Sequence, residues 1–139
     1  MQISVPHYTT GVRPAILLVD DYVDALAAWE VFLRAEGFDV VTACSGSDAL
    51  AAVAVSVPSL IVLDLVLPDR TGCDIARTLR AEANTSHIPL IAATGICDPV
   101  HLADAREAGF DAILVKPCDP TVLIAKIREL LAAQSASPA

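Results

Sequence analysis

"AILVKPCDP", residues 112–120, sets four residues suited to a sheet interior directly before a lysine, a proline and an Asp-Pro pair. A short run that is apolar at successive positions is the pattern of a strand buried on both faces, as in a parallel sheet. The run recurs upstream as "AILLV" at 15–19, "FDVVTA" at 38–43, "LIVLD" at 60–64 and "PLIAAT" at 89–94, with the last strand read as "AILVK" at 112–116. Between these runs the apolar residues fall at helical spacing. Leu26, Trp29 and Leu33 form one stripe, Leu50, Val53, Ala54 and Val57 a second, and Leu123, Ile127 and Leu130 a third. Trp29 and Phe32 read as core or partly buried helix face. Asp98-Pro99 and Asp119-Pro120 have the cap-then-proline form that opens a helix, and Gly37 and Gly109 stand where helices stop.

Five strands alternating with five helices, joined by right-handed crossovers, predict an α/β fold: a doubly wound five-stranded parallel sheet in the flavodoxin-like order 2-1-3-4-5. Residues 14–133 carry that pattern as one domain. Residues 1–13 read as an N-terminal extension and 134–139, "QSASPA", as a disordered tail.

At 139 residues one domain is expected, and 55% hydrophobic against 19% charged residues marks a chain that folds. Nine Lys plus Arg against 17 Asp plus Glu give a formal charge of −8, which argues against direct binding to a nucleic-acid backbone or an anionic membrane. No apolar run approaches the length of a membrane span. "AILLV" is too short for a signal-peptide core and runs into two aspartates, so a cytoplasmic protein is expected. Cys44, Cys73, Cys97 and Cys118 form no C-x-x-C pair and read as small hydrophobes. His7, His87 and His101 lack metal-ligand spacing.

In such a sheet ligands bind beyond the carboxyl ends of the strands, where the strand order reverses. Strand one ends in Asp20-Asp21, strand three in Asp64, strand four in Thr94 and strand five in Lys116. Crowded carboxylates repel one another, and an all-oxygen cluster with room for water is the setting in which Mg²⁺ is held. A hydroxyl and an ammonium opposite the cluster leave a slot for a tetrahedral anion, which makes a phosphoryl site without a Gly-rich loop. Singly, each residue has a plainer reading: Asp20-Asp21 as a helix cap, Asp64 as a strand-end carboxylate, Thr94 as a turn former, Lys116 as a snorkelling surface residue. Their joint placement on one edge favours the site.

The segments "LLVDD" (17–21), "LIVLDLVLPDRTG" (60–72), "PLIAATG" (89–95) and "AGFDAILVKP" (108–117) resemble the receiver domain of bacterial two-component response regulators over residues 14 to about 133. The resemblance implies a signalling module rather than an enzyme, stand-alone or part of a longer hybrid kinase. Asp64 is then the phosphoacceptor, taking a phosphoryl group from the phosphohistidine of a sensor histidine kinase or phosphotransfer protein and regulating a downstream protein partner or relaying the group. Mg²⁺ is implied on Asp21, Asp64 and the backbone carbonyl of Val66, with Asp20 acting through water. Thr94 and Lys116 are implied to hold phosphoryl oxygens, and Lys116–Pro117 to be a cis peptide, a form that only X-Pro bonds adopt at modest cost.

Two positions depart from the family pattern. Ile113 stands where an aromatic switch residue is common, and Cys118 where phenylalanine often follows Lys-Pro. Val66 and Ile96, two residues after Asp64 and Thr94, flank the path of the hydrolytic water in this family and carry no hydrogen-bonding group. Three rivals stay open at this point. A small phosphatase lacks a second acid two residues after Asp64. A flavin or nucleotide carrier lacks a glycine-rich loop after strand one. A receiver-like scaffold that no longer phosphorylates is opposed by the intact acidic cluster.

Overall fold

The computed structural model describes residues 13–96 and 98–136; His7, the rest of the extension up to residue 12, Cys97 and residues 137–139 lie outside it. Five strands alternate with five helices: β1 (Ala15–Val19), α1 (Val23–Ala35), β2 (Asp39–Ala43), α2 (Gly46–Val55), β3 (Leu60–Leu63), α3 (Gly72–Ala81), β4 (Leu90–Thr94), α4 (Pro99–Ala108), β5 (Ala112–Val115) and α5 (Pro120–Ala136). The sheet has the predicted order, β2-β1-β3-β4-β5, with every neighbouring pair parallel.

Successive side chains of a strand point to opposite faces, so each central strand feeds two cores. Ile16 and Leu18 of β1 pack in the layer under α1 and α5, with Leu33 and Ile127. Leu17 and Val19 face the other way, into the layer under α2, α3 and α4, with Val53 and Leu79. Full burial of each such side chain stabilises the fold by roughly 1.5–3 kcal/mol. Ser45, Thr71 and Asp98 cap α2, α3 and α4 through bonds from Asp48 N, Asp74 N and His101 N. Gly37 and Gly109, both at positive φ, follow α1 and α4.

Several expectations need correcting. The runs at 38–43 and 112–116 have the pattern of strands buried on both faces, yet β2 and β5 are the outer strands. Val41 and Val115 are exposed, because an edge strand is covered less completely than a central one. The α2 stripe is also displaced. Gly46, Ala49 and Val53 are the buried residues, Ala54 is exposed, and Val57 lies beyond the helix end; "DALAAVAV" is so uniformly apolar that spacing alone does not choose the face. Finally, α5 continues past residue 133 to Ala136, and Gln134 Nε2 donates to the His87 carbonyl at 2.7 Å. At the other end Arg13, counted with the extension, donates to the Gly37 carbonyl at 3.0 Å. Trp29 is half-buried against the α1/α5 layer, whereas Phe32 is exposed.

Candidate functional site

Three site residues stand one step past a strand end, where the ladder still holds them. Asp20 N donates to the Ala43 carbonyl (3.1 Å), Asp64 N to the Val19 carbonyl (3.0 Å) and Lys116 N to the Thr94 carbonyl (2.8 Å). The acceptors are the last residues of β2, β1 and β4, so the sheet itself sets the spacing between the functional side chains.

Carboxylate oxygens of Asp20, Asp21 and Asp64 all lie within 4.8 Å of one another. Asp20 is buried and Asp21 exposed. Lys116 Nζ bonds Asp20 Oδ2 and donates to Asp64 Oδ2 at 3.1 Å. Burial works against the Lys116 charge, but the bonds to Asp20 and Asp64 outweigh it and leave the ammonium pKa above its usual value. The remaining oxygens are also engaged: Asp20 Oδ1 accepts from Tyr22 N (2.9 Å) and Asp64 Oδ1 from Val66 N (3.2 Å). Asp20 therefore does not cap α1, whose N-cap is Tyr22. Thr94 is fully buried, and its Oγ1 accepts from Ile96 N at 3.1 Å.

The loop from Asp64 to Gly72 is closed at its base. Val66 and Thr71 form an antiparallel bridge, and Gly72 N donates to the Leu65 carbonyl at 2.8 Å. With that bond flanking the bridge, Val66 is a non-hydrogen-bonded pair member whose own N–H and C=O point out of the hairpin on one side. The N–H meets the Asp64 carboxylate, and the Val66 carbonyl shares that side. Gly72 makes the closure possible, since a Cβ there meets the Asp64 carbonyl oxygen at 2.2 Å.

The remaining residues fall around this core. Val66 is exposed, Ile96 half-buried, and Gly95 exposed with nothing within 4 Å of a Cβ built on it. Ile113 is half-buried and packs on the layer that includes Ala105 and Phe110. The Lys116–Pro117 peptide is cis. Cys44, Cys73 and Cys118 are free; burial first, then Asp104 nearby, pushes the Cys73 thiol up to about 11. The exposed His101 ring bonds Asp98 (Nδ1 to Oδ2, 2.6 Å). No local pattern marks the direct pairing of Lys116 with Asp20, nor the close approach of Gly72, the first residue of α3, to the Asp64 carbonyl.

Three acidic side chains against one ammonium, with oxygen as the only donor atom, fit a hard divalent cation such as Mg²⁺. Residues 16–128 match the family model described as the response regulator receiver domain. The chain belongs to the response regulator receiver family. It is 38% identical over 127 residues to the DNA-binding response regulator MtrA of Mycolicibacterium smegmatis, covering 91% of this chain and 54% of the relative. To response regulator PleD of Caulobacter vibrioides it is 35% identical over 115 residues, 83% of this chain and 25% of that protein. The receiver chain thus spans about half, or less, of the length of these curated relatives. Among solved structures, a CheY-like receiver domain protein from Methanospirillum hungatei superimposes with a TM-score of 0.85 at 28% identity, over 89% of this chain and 98% of the other. Among the described residues no helix is long and apolar enough to cross a membrane.

Proposed function

We propose that this receiver domain accepts a phosphoryl group on Asp64 and that the modified state regulates a downstream protein or passes the group along a relay. The carrying observation is the position of Asp64. Its carboxylate reaches Lys116 Nζ on one oxygen and Val66 N on the other, beside Asp20 and Asp21. An oxygen of Asp64 attacks phosphorus in line as the bond to the imidazole nitrogen of a partner's phosphohistidine breaks. Such a transfer needs charge neutralisation and positioning more than a base.

Mg²⁺ would be held by Asp21, Asp64 and the Val66 carbonyl, with Asp20 through water; when bound it supplies charge neutralisation to the transferring oxygens. Lys116 and Thr94 bind phosphoryl oxygens, Lys116 by exchanging part of its bonding to Asp20 and Asp64 for the new anion. Gly95 leaves the donor side open. Ile113 has no ring to rotate, so Thr94 signals through backbone displacement of the β4–α4 segment. Val66 and Ile96 cover the phosphoryl group without orienting a water, which makes hydrolysis slow. The domain acts as a switch rather than a turnover enzyme, in the cytoplasm. Its partners are a sensor histidine kinase or phosphotransfer protein and a downstream protein. At a net charge of −8 this chain is not itself the reader of DNA.

Incubation with acetyl phosphate and Mg²⁺, read by intact mass, tests the proposal. One phosphoryl group is expected on the wild type and none on Asp64→Asn. Equal modification of that variant would show that Asp64 is not the acceptor.

A further inference from the structure

The tip of the Asp64–Gly72 loop is fastened to a helix that contributes no residue to the site. Asp69 Oδ1 accepts from Gly46 N at 2.8 Å, and Oδ2 accepts from Ser47 N and Ser47 Oγ, both at 2.8 Å. Gly46 and Ser47 open α2, and their N–H groups have no acceptor within the helix. The side chain of Ser45, the N-cap, satisfies only the next donor, Asp48 N, at 3.1 Å. Two of the first backbone donors of α2 are therefore satisfied by a carboxylate 23 and 22 residues further along the chain.

A second observation is independent of these bonds. The Arg70 side chain lies across Gly46 so closely that a Cβ on Gly46 meets Arg70 Cγ at 2.5 Å. The loop tip and the helix start are thus matched in shape as well as in charge. The α2 helix is itself held by Ala49 and Val53 in the core layer that contains Leu17 and Leu63. The Gly46 N–H first, then the Ser47 N–H and hydroxyl, hold the Asp69 carboxyl down at about 2, so its charge is present throughout the neutral range.

We infer that Asp69 is a positioning residue for the metal: by tying the loop tip to α2 it fixes the direction of the Val66 carbonyl. This rests on the reading of Val66 as a metal ligand. The loop is otherwise set at its base by the Val66–Thr71 bridge and the Gly72 closure, and its middle by the buried Leu65 and Leu67. A tip released from α2 can twist the hairpin and, with it, the Val66–Thr71 bridge. A carbonyl ligand tolerates little rotation before its oxygen leaves the coordination sphere, and Mg²⁺ demands near-ideal octahedral geometry. Outer partners that orient a ligand typically change metal affinity about 10–100-fold when removed.

Mg²⁺ titration calorimetry on the unphosphorylated chain separates positioning from plain helix capping. Asp69→Ala is expected to weaken Mg²⁺ about tenfold. Ser45→Ala also removes a cap from α2 without touching the loop. It is expected to lower the Tm but to leave Mg²⁺ affinity within about twofold of wild type, as its lost bond lies outside the metal's outer partners. If Asp69→Ala does not fold, Asp69→Asn decides: it keeps an acceptor for one N–H and turns a donor toward the other, and about threefold weakening is expected, short of the full outer-partner loss. Wild-type affinity in a folded Asp69 variant, or equal weakening in Ser45→Ala, overturns the inference. Wild type that fails to bind Mg²⁺ overturns the underlying metal reading instead, and the inference with it.

Discussion

The two loops that flank the acidic cluster are built in opposite ways. The one after β3 is closed by the Gly72 contact, bridged from Val66 to Thr71, and continued into α3, which buries Cys73, Ile75 and Leu79. The one after β4 begins with Gly95, around which there is open space, and leads into α4, which buries only Ala105 and Ala108. Alanine contributes little apolar area, so α4 is held on the domain more weakly than α3. Polar contacts supply part of the hold: Asp98 caps the helix, and Arg77 NH2 reaches Asp104 from α3 at 2.6 Å. The difference matches a division of labour. In the proposed function the acceptor Asp64 and the Val66 carbonyl stand on the fixed side, and the segment proposed to report occupancy stands on the side that costs least to move.

The two glycines give the largest contrast. Gly72→Ala puts a methyl group against the Asp64 carbonyl oxygen at 2.2 Å and Leu65 Cα at 2.9 Å, both backbone atoms. A loss of about 3 kcal/mol is expected in urea unfolding, as for severe overpacking. Gly95→Ala is expected to stay within about 0.5 kcal/mol of wild type. Similar losses at both positions would erase the asymmetry.

Next in size is the lifetime of the phosphorylated form. Val66 and Ile96 stand one on each loop, and replacing them by Asn and Glu supplies groups that can orient water. Dephosphorylation is expected to accelerate about 10–100-fold, or about 1.4–2.8 kcal/mol of barrier. Decay already fast in the wild type, or unmoved in the double variant, would assign the lifetime to other residues.

A third expectation concerns acid. The folded pKa of Asp69 is depressed from 3.8 to about 2. Its contribution to stability is therefore complete above pH 3.8 and is lost as the pH falls through about 2. The Tm gap between wild type and Asp69→Ala should be constant near neutrality and narrow toward pH 2. A gap that widens on acidification contradicts the assignment.

The smallest effect is expected at Asp104→Asn on the α4 side. The pair with Arg77 is about half exposed, so a slight fall in Tm is expected, fading in high salt. A large, salt-insensitive loss would mean that α4 is held more firmly than its buried alanines indicate.

Much of this was legible in the sequence because it depends on period and position. The strand order follows from the alternation of apolar runs and helical stripes, and the acidic edge from polar residues ending those runs. What escaped notice depends on contacts distant along the chain. The bond from Asp69 to Ser47 joins a loop to a helix start in another element, and no local pattern marks it. The pairing of Lys116 with Asp20 spans most of the domain. The exposure of Val41 and Val115 follows from strand position in the assembled sheet, which a run of apolar residues does not record. Alanine-rich α2 hid its own buried face.

The central claim is that occupancy of Asp64 moves the β4–α4 side and leaves the β3–α3 side in place. A structure of the chain with Mg²⁺ and beryllofluoride, an aspartyl-phosphate mimic, tests this most directly. The expected result is that residues 64–72 superimpose on the unmodified form while Thr94 and α4 shift by about 1–2 Å. Helix α4 and its preceding loop unchanged, with residues 64–72 displaced instead, would contradict it.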